Sequence, residues 1–514
     1  MMKTFLCALV ASASIAVAQD FSLTVYSTAD PATFDPQQLA QQRLMQGYYG
    51  RYQLQLPGYG VVRETRQIEL QNGENTIRFT DVASGIDPTT VSFRSNTSPD
   101  TTSVLEQNYE YDVLSSEKLL EKYLDKNVII MRREAQNEAP KPISGKLLAV
   151  DASSIILQTG DAKQPVMIIP RNADISAVML SDSGSGLITK PTLVWKIETN
   201  RAGKHDAQVS YQTSGITWRA DYNVVVNEND TAADIGAWVT LLNESGASYP
   251  NAKLKLVAGD VQRVKPPQQN HGGQLAMRAS ELRDASGFQE KSFFEYHLYT
   301  LGRATSIANN STKQIELFPT HNDVPVDKTY VYYGLSEQWR YWIAPAPSLD
   351  QNLGVESNKR VDIYLLLQNS EKNGMGMPLP VGRVRVYKRD STGAAADQSL
   401  EFIGEDVIQH TPKNEKIMFR LGSAFDIVGE RKQTIFTINQ NGHVITESFE
   451  IKLRNHKTEA VHVLVKENLY RWTNWEITAS SDKHEKQDYR TIHIPVDVPA
   501  DGEKTVTYTV KYTW

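Results

Sequence analysis

The chain has 514 residues, of which 40% are hydrophobic and 22% are charged, so its composition is that of an ordinary globular protein. Its length is enough for about three domains. The formal net charge of −6 and the lack of a basic segment exclude a typical nucleic-acid-binding protein.

Residues 1–18 have the pattern of a secretory signal peptide. Lys3 gives a positive start, an apolar stretch follows, and Ala-Val-Ala at 16–18 is a small-x-small cleavage site. We expect cleavage between Ala18 and Gln19 and export to the periplasm or cell envelope. The alternative is an N-terminal membrane anchor, but the apolar stretch is shorter than the ~20 residues of a membrane span. No later segment is long and apolar enough to cross a bilayer, so we expect no transmembrane segment after signal removal. The only cysteine, Cys7, lies inside the signal, so the mature chain has no thiol for catalysis or metal binding.

Residues 19–112 are predicted to form an N-terminal β domain. Apolar residues alternate in "VVRETRQIEL" and "NTIRF", which indicates two strands, and the Asn72-Gly73 dipeptide between them favours a hairpin turn. A glutamine-rich insertion at about 29–59 interrupts the domain. Its "DPQQLAQQRLMQG" pattern, with proline at the first helical position and glycine as the stop, predicts a helix.

Residues 113–190 are predicted to contain a short helix followed by a small β-barrel. Ser116 is a candidate N-cap residue for the helix in "LSSEKLLEKYLDK". The short strand patterns that follow are "NVIIMRR", "GKLLAV", "SIILQTG" and "PVMIIP". So many short strands in so small a region are typical of a barrel of the SH3 or Sm kind.

The remainder of the chain is predicted to form two β-sandwiches. The first comprises residues 191–264 and 293–345, and the second comprises residues 346–514. The segment 265–292 has no sustained periodicity, and we interpret it as a mobile linker, with a functional loop as the alternative. Together these patterns predict a mainly β, multi-domain protein of antiparallel β-sandwiches plus a small SH3/Sm-like barrel, with few short helices.

The clearest strand pattern is "ITWRADYNVVV", in which apolar and polar residues alternate strictly. Ile216 and Trp218 fall on one parity, whereas Thr217, Arg219 and Asp221 fall on the other. Successive strand side chains point to opposite faces of a sheet. The pattern therefore predicts one buried face and one wetter face.

Six blocks between residues 192 and 514 follow one another in a characteristic order: "SYQTSGITWRADYNVVVN", "GAWVTLLNESGASYPNAKLKLVAGDV", "FFEYHLYTLGRATSIANNSTKQIELF", "LPVGRVRVYKRD", "LGSAFDIVGERK" and "YTVKYTW". Together they resemble an exported bacterial family known as domain-of-unknown-function family 4139, which has mucoidy-inhibitor-like members. The N-terminal "VVRETRQIELQNGENTIRFTDVASGIDPTTVSF" resembles the β domain that commonly precedes it.

This resemblance implies an exported, β-rich protein of the cell envelope. The family has no agreed catalytic residues that could be carried over to this chain. The glutamine-rich insertion departs from the family pattern, in which "LTVYST" would run almost directly into "GVVRETR". Whatever the N-terminal domain of relatives binds is therefore not transferred to this chain.

No catalytic or metal-binding motif occurs in the sequence. The ten histidines are scattered, and there is no H-E-x-x-H pair, nucleophile elbow or phosphate-binding loop. The acidic stretch at 227–234 lacks the glycine and the closing glutamate of a calcium loop. We therefore predict no catalytic residues, no metal and no cofactor, and we favour a non-enzymatic protein without excluding an enzyme.

Exposed aromatic rings are the sequence feature with the clearest potential for binding. Trp339, Trp342, Trp472 and Trp475 lie in two aromatic-rich segments and are candidates for stacking on the sugar rings of a glycan. The alternative is that these side chains fill cores and edges, since tryptophan and tyrosine are common strand residues.

Three functional classes follow. The first is an exported cell-envelope protein that acts as a non-enzymatic interaction or structural module, with an envelope protein or a polysaccharide as partner. The second is a glycan-binding protein or a glycan-active hydrolase. The third is an outer-membrane β-barrel, since the terminal "YTVKYTW" alternates like the last strand of such a barrel. We favour the first class.

Overall fold

The structure is a computed structural model that describes residues 20–27, 56, 58–110, 116–133, 139–161, 165–172, 174–180, 191–259, 288–293, 296–340, 342, 346–390, 399–441 and 443–514. The cleavage site at Ala18 and Gln19, most of the glutamine-rich insertion with its predicted helix, and most of the segment 265–292 lie outside these ranges.

Strands make up most of the described residues, which confirms the prediction of a mainly β protein. The described helices are α1 (Ser116–Glu121), α2 (Glu337–Arg340) and one 3₁₀ turn (Glu371–Asn373). Within the described ranges, no helix combines the length and the apolar character that a membrane span requires.

The first sheet contains eight strands from two distant parts of the chain. They are β1 (Asp20–Tyr26), β2 (Tyr59–Leu70), β4 (Ile86–Ser95), β12 (Gly203–Thr213), β15 (Tyr249–Ala258), β16 (Phe288–Phe293), β17 (Tyr296–Leu301) and β18 (Thr305–Ile307). Their order is β16–β17–β15–β1–β2–β12–β4, with β18 paired to β15. Strands β12 and β15 follow residue 190, so strand pairing crosses the predicted boundary between the N-terminal domain and the first C-terminal sandwich.

The second sheet contains β3 (Gly73–Thr80), β5 (Thr102–Glu110) and β11 (Thr192–Thr199), with β11 in the middle and antiparallel to both neighbours. Asn72 and Gly73 do form a turn before β3, and Gly73 has a φ of 92° that suits glycine. This turn joins strands of two different sheets, however, so it is a corner and not the predicted hairpin.

Between β5 and β11 the chain forms α1 and a separate five-stranded sheet. Its strands are β6 (Asn127–Arg132), β7 (Lys141–Val150), β8 (Ser154–Gln158), β9 (Val166–Pro170) and β10 (Ile175–Leu180). The order β10–β6–β7–β8–β9 leaves β9 and β10 at opposite edges. The predicted barrel is therefore an open sheet in the described residues, because β10 returns to β6 without also pairing with β9.

The fourth sheet contains thirteen strands of the C-terminal half. They are β13 (Ile216–Val226), β14 (Ala232–Asn243), β19 (Ser311–Tyr333), β20 (Arg360–Gln368), β21 (Gly382–Asp390), β22 (Ser399–Ile408), β23 (Lys416–Asn439), β24 (Val444–Asn455), β25 (Val461–Asn468), β26 (Trp475–Ser480), β27 (Glu485–Lys486), β28 (Thr491–Val498) and β29 (Gly502–Thr513). The main path is β22–β21–β13–β14–β19–β20–β23–β24–β29–β26.

Three hydrophobic cores hold these sheets. The first core combines side chains of the first, second and fourth sheets, such as Leu23, Trp195 and Trp218. The second core lies in the C-terminal region around Phe449, and the third belongs to α1 and the five-stranded sheet alone. Strands β19, β20 and β23 contribute to both the first and the second core, so these two cores are joined by continuous strands.

One topological unit occurs three times along the chain. In each copy, a strand ends at a buried asparagine and the next strand pairs in parallel with an earlier one; the parallel pairs are β1–β15, β13–β21 and β19–β25. A later strand then returns antiparallel to the strand that ends at the asparagine, giving β14–β19, β20–β23 and β24–β29. The sandwiches are thus antiparallel apart from these three parallel pairs among the described strands.

Candidate binding face around Trp238

Two of the four predicted glycan-stacking tryptophans contact each other. Trp339 lies in α2 and Trp342 follows it, and their rings meet edge to face with centroids 5.6 Å apart. Both are half-buried, and within the described residues the buried Nε1 of Trp339 has no hydrogen-bond partner. A stacking role for this pair stays a prediction.

The other two predicted tryptophans pack against the second core. Trp472 and Trp475 are both half-buried there. Trp475 also donates from Nε1 to the carbonyl oxygen of Tyr489 at 2.5 Å, and the Nζ of Lys486 lies 4.3 Å from its ring. These contacts are those of side chains that close an edge of the core, and a glycan-stacking role for them also stays a prediction.

The strand "ITWRADYNVVV" forms β13 as predicted, but the face that carries its polar side chains is not the solvent-exposed face that was expected. Ile216 and Trp218 are buried in the first core, and Thr217, Arg219 and Asp221 on the opposite face are buried as well. β13 is an interior strand of its sheet, with the next strand of the chain, β14, on one side and the sequence-distant strand β21 on the other.

The strand registers assemble a polar surface on this face of the fourth sheet. Asp221 lies opposite Trp238 of β14 on one side and opposite Arg383 of β21 on the other. Directly opposite residues point to the same face of a sheet. We name this surface the Trp238 face. It is formed by Arg219, Asp221, Trp238, Thr240, Gln314, Glu316, Arg383, Arg385 and Glu405.

Asp221 is the polar centre of the Trp238 face. Its Oδ2 accepts a hydrogen bond from Thr240 Oγ1 at 2.5 Å and another from Arg219 Nε at 3.1 Å. Gln314 Nε2 in turn donates to Thr240 Oγ1 at 3.2 Å. Asp221 is only 4% exposed, yet its Oδ1 has no hydrogen-bond partner in the described part of the chain.

Three guanidinium groups gather beside Asp221. Arg219 is buried, whereas Arg383 and Arg385 are half-buried on the neighbouring strand. Burial lowers the pKa of Arg219, and the positive charges of Arg383 and Arg385 lower it further, although Asp221 opposes both effects. Arg385 lies between two carboxylates, with 3.8 Å to Asp221 Oδ1 and 3.8 Å to Glu405 Oε2.

Trp238 is the exposed aromatic residue of this surface. Its side chain is 40% exposed, and Trp514 at 36% is the only other tryptophan of comparable exposure among the described residues. Asp221 and Glu316 lie opposite it on the two neighbouring strands. A broad apolar ring is thus held in a fixed position between hydrogen-bonding groups on a rigid sheet.

The sequence contains a signal for the exposure of Trp238. In "ADIGAWVTLL" the residues Ile235, Ala237, Val239 and Leu241 fall on the buried parity. Trp238 falls on the other parity, where a large apolar side chain has no core to fill. An aromatic residue on the polar parity of an alternating strand is therefore a better indicator of exposure than a high local density of aromatic residues.

A second cluster of ionisable groups lies inside the second core. Arg431 Nε donates to Glu467 Oε2 at 2.8 Å, and Arg471 Nε lies 2.8 Å from Glu447 Oε1. All four side chains are at most 1% exposed. Burial raises the pKa of Glu447, although Arg471 opposes this shift.

This buried cluster anchors a loop. The guanidinium of Arg471 donates to the carbonyl oxygens of Ser348, Asp350, Gln351 and Leu353, and that of Arg431 donates to the carbonyl oxygen of Gly354. Because the four charged side chains are sealed from solvent, no substrate reaches them in this conformation. The cluster is a structural element, and the Trp238 face is the better candidate for a functional site.

In the described residues, no three His, Cys, Asp or Glu side chains are arranged to hold a metal ion. No family model matches this chain, and no curated protein matches it either.

Proposed function

We propose that this protein is a non-enzymatic binding module exported to the cell envelope, and that the Trp238 face is its binding surface. The observation that carries the proposal is the exposed indole of Trp238, flanked by hydrogen-bonding groups on strands of the same sheet. Exposed tryptophan and arginine side chains on a rigid scaffold are the residues that dominate binding energy at recognition surfaces.

The groups around Trp238 favour binding over catalysis. Asp221 is held in place by hydrogen bonds from Arg219 and Thr240 to its Oδ2, which fixes the position of its other oxygen, Oδ1. Its surroundings orient a ligand and supply hydrogen bonds. Export to the periplasm or cell envelope is supported by the signal pattern of residues 1–18. It is also supported by the six sequence blocks between residues 192 and 514, which resemble those of an exported bacterial family.

The experiment is capture of envelope components by the purified full-length mature protein and by the variant Trp238→Ala. We expect the variant to lose at least about tenfold in apparent affinity, because a central exposed aromatic residue contributes about 1.4 kcal/mol or more to binding. Trp514→Ala removes another exposed tryptophan and is the matched control, for which we expect unchanged capture.

Near-UV circular dichroism of both variants separates a loss of binding from a loss of fold. Equal capture by wild type and a folded Trp238→Ala variant would refute the Trp238 face as the binding surface. Release of soluble fragments from the envelopes during incubation would refute the non-enzymatic part of the proposal.

A further inference from the structure

The arginines of the Trp238 face have unused hydrogen-bonding capacity. The guanidinium of Arg383 forms no hydrogen bond or ion pair with the described residues, and that of Arg385 lies 3.8 Å from the carboxylates of Asp221 and Glu405, which is beyond hydrogen-bond distance. Arg219 is already engaged with Asp221. Two partly exposed guanidiniums on β21 therefore present free N–H donors on the same face as Trp238, from which they are separated by β13.

The charge on this side of the indole is positive. On this side there are three positive side chains, Arg219, Arg383 and Arg385, and two negative ones, Asp221 and Glu405. The remaining carboxylate of the face, Glu316, lies on the other side of Trp238, on β19. Clustered guanidiniums repel one another unless an anion joins them, and a planar guanidinium matches the geometry of a carboxylate. A site for an external carboxylate is the simplest reason to hold these charges together in a protein with a net charge of −6.

The free oxygen of Asp221 points to a second property of the ligand. Asp221 is 96% buried on this face, and its Oδ1 accepts no hydrogen bond from the described residues. Arg385 Nη1 lies 3.8 Å from this oxygen, and no hydrogen bond to the described residues holds the Arg385 side chain in place. If Arg385 turns towards a ligand carboxylate, Oδ1 is uncovered and accepts a hydrogen bond from a ligand hydroxyl group.

An apolar ring face, hydroxyl donors and a carboxylate occur together in a sugar acid. We infer that the ligand of the Trp238 face is an acidic polysaccharide, with one uronate ring stacked on Trp238, its carboxylate bound by Arg383 and Arg385, and a hydroxyl group donating to Asp221. This inference rests on the proposed function, because it identifies the partner of the same surface. Binding is non-covalent, and no bond of the polysaccharide is broken.

The test compares polygalacturonate with the same polymer after its carboxylates have been reduced to alcohols. Isothermal titration calorimetry is carried out with the full-length mature protein at low and high sodium chloride concentration. We expect binding of polygalacturonate that weakens with salt, and at least about tenfold weaker binding of the reduced polymer.

The double variant Arg383→Gln/Arg385→Gln separates the arginines from the indole. We expect it to bind polygalacturonate at least about tenfold more weakly than wild type, to lose most of the salt dependence, and to bind polygalacturonate no more tightly than the reduced polymer. The matched charge control is Arg78→Gln, which removes an arginine of β3 that is paired with Glu110 of β5; we expect it to keep wild-type affinity.

Equal affinity for polygalacturonate and its reduced form, with loss of both in Trp238→Ala, would overturn the acidic-polysaccharide inference while leaving the proposed binding surface intact. Absence of polygalacturonate binding, or wild-type binding by the folded arginine variant, would also overturn the inference. If Trp238→Ala captures envelope components like wild type, the proposed function fails as well. Urea unfolding midpoints of all variants show that each remains folded.

Discussion

Arg66 in the first core repeats the arrangement of Arg431 in the second. Arg66 Nη2 donates to Glu64 at 2.8 Å, and its guanidinium lies 3.8 Å from the ring centre of Phe79. The guanidinium of Arg431 likewise lies 3.8 Å from the ring centre of Phe449. Stacking on an aromatic ring and charge-assisted hydrogen bonds offset the cost of burying the charges, so such a group is stable only when it is complete.

Replacing Arg471 by methionine tests this dependence on completeness. The substitution leaves Glu447 buried without its cation and removes the donors to the loop at 348–353. We expect the free energy of unfolding in urea to fall by about 3–5 kcal/mol, because breaking one half of a buried ion pair leaves an uncompensated charge.

Two further variants show whether the uncompensated charge is the cause. The second substitution Glu447→Gln in the Arg471→Met protein removes that charge and should recover part of the lost stability. Arg454→Ala breaks a solvent-exposed pair with Glu430 and should cost only about 0–1 kcal/mol. If Arg471→Met costs no more than Arg454→Ala, the buried pair does not stabilise this fold.

At the residue scale, the sequence predicted which side chains alternate but not which faces are covered. Ile216 and Trp218 were assigned correctly to a core. The burial of Arg219 and Asp221 could not be foreseen, because Arg383 lies more than 150 positions further along the chain and reaches Asp221 through a parallel pairing. The sequence of a strand reveals which of its residues alternate, but it does not reveal which strands pair with it.

At the scale of elements, three buried asparagines close equivalent turns. Asn243 and Asn455 are the last residues of β14 and β24, Asn369 directly follows β20, and all three are at most 1% exposed. Each side-chain amide donates to two backbone carbonyls, one in its own loop and one in the loop that precedes the returning strand. One asparagine side chain thereby links these two loops through hydrogen bonds.

The variant Asn369→Ala measures how much these hydrogen bonds contribute to the free energy of unfolding. The variant leaves the carbonyl oxygens of Met377 and Pro412 and the amide of Gly376 without their partner. We expect a loss of about 2–4 kcal/mol in the free energy of unfolding, determined by urea titration, since buried polar groups that lose their partners cost more than the hydrogen bonds themselves.

The control for this variant is Asn108→Ala, at an exposed position of β5, which should change stability by no more than about 0.5 kcal/mol. Similar losses for the Asn243→Ala and Asn455→Ala variants would confirm that the three turns are energetically equivalent. If Asn369→Ala lowers the free energy of unfolding by no more than Asn108→Ala does, the asparagine does not stabilise the turn.

The threefold repetition of this element was not predictable from the sequence. The three segments after the asparagines share almost nothing beyond the asparagine and an alternating strand on either side, and alternation occurs throughout the chain. Strand existence was predictable because period-two patterning is local. Parallel pairing between β13 and β21 is a long-range contact, and no local signal distinguishes it from an antiparallel hairpin.

At the scale of the whole molecule, one unit is inserted into a hairpin of another. Strands β5 and β11 are antiparallel neighbours, and Glu110 at the end of β5 lies directly opposite Thr192 at the start of β11. The five-stranded sheet and α1 lie between these residues and have a core that shares no residue with the other two. The predicted domain at 113–190 rests on short strand patterns in the sequence, which differ from the longer alternating patterns around them.

Deletion of the inserted unit tests this organisation. If residues 111–191 are replaced by a two-residue Asn-Gly turn, β5 and β11 still meet as a hairpin, because Glu110 and Thr192 are already opposite each other. We expect the shortened protein to fold, to keep the urea midpoint of the first and second cores, and to bind through Trp238 like wild type. The insertion contributes a core of its own, so only the unfolding signal of that core should disappear in calorimetry. An aggregated or unfolded product would mean that the inserted unit stabilises the sandwiches through contacts beyond its own core.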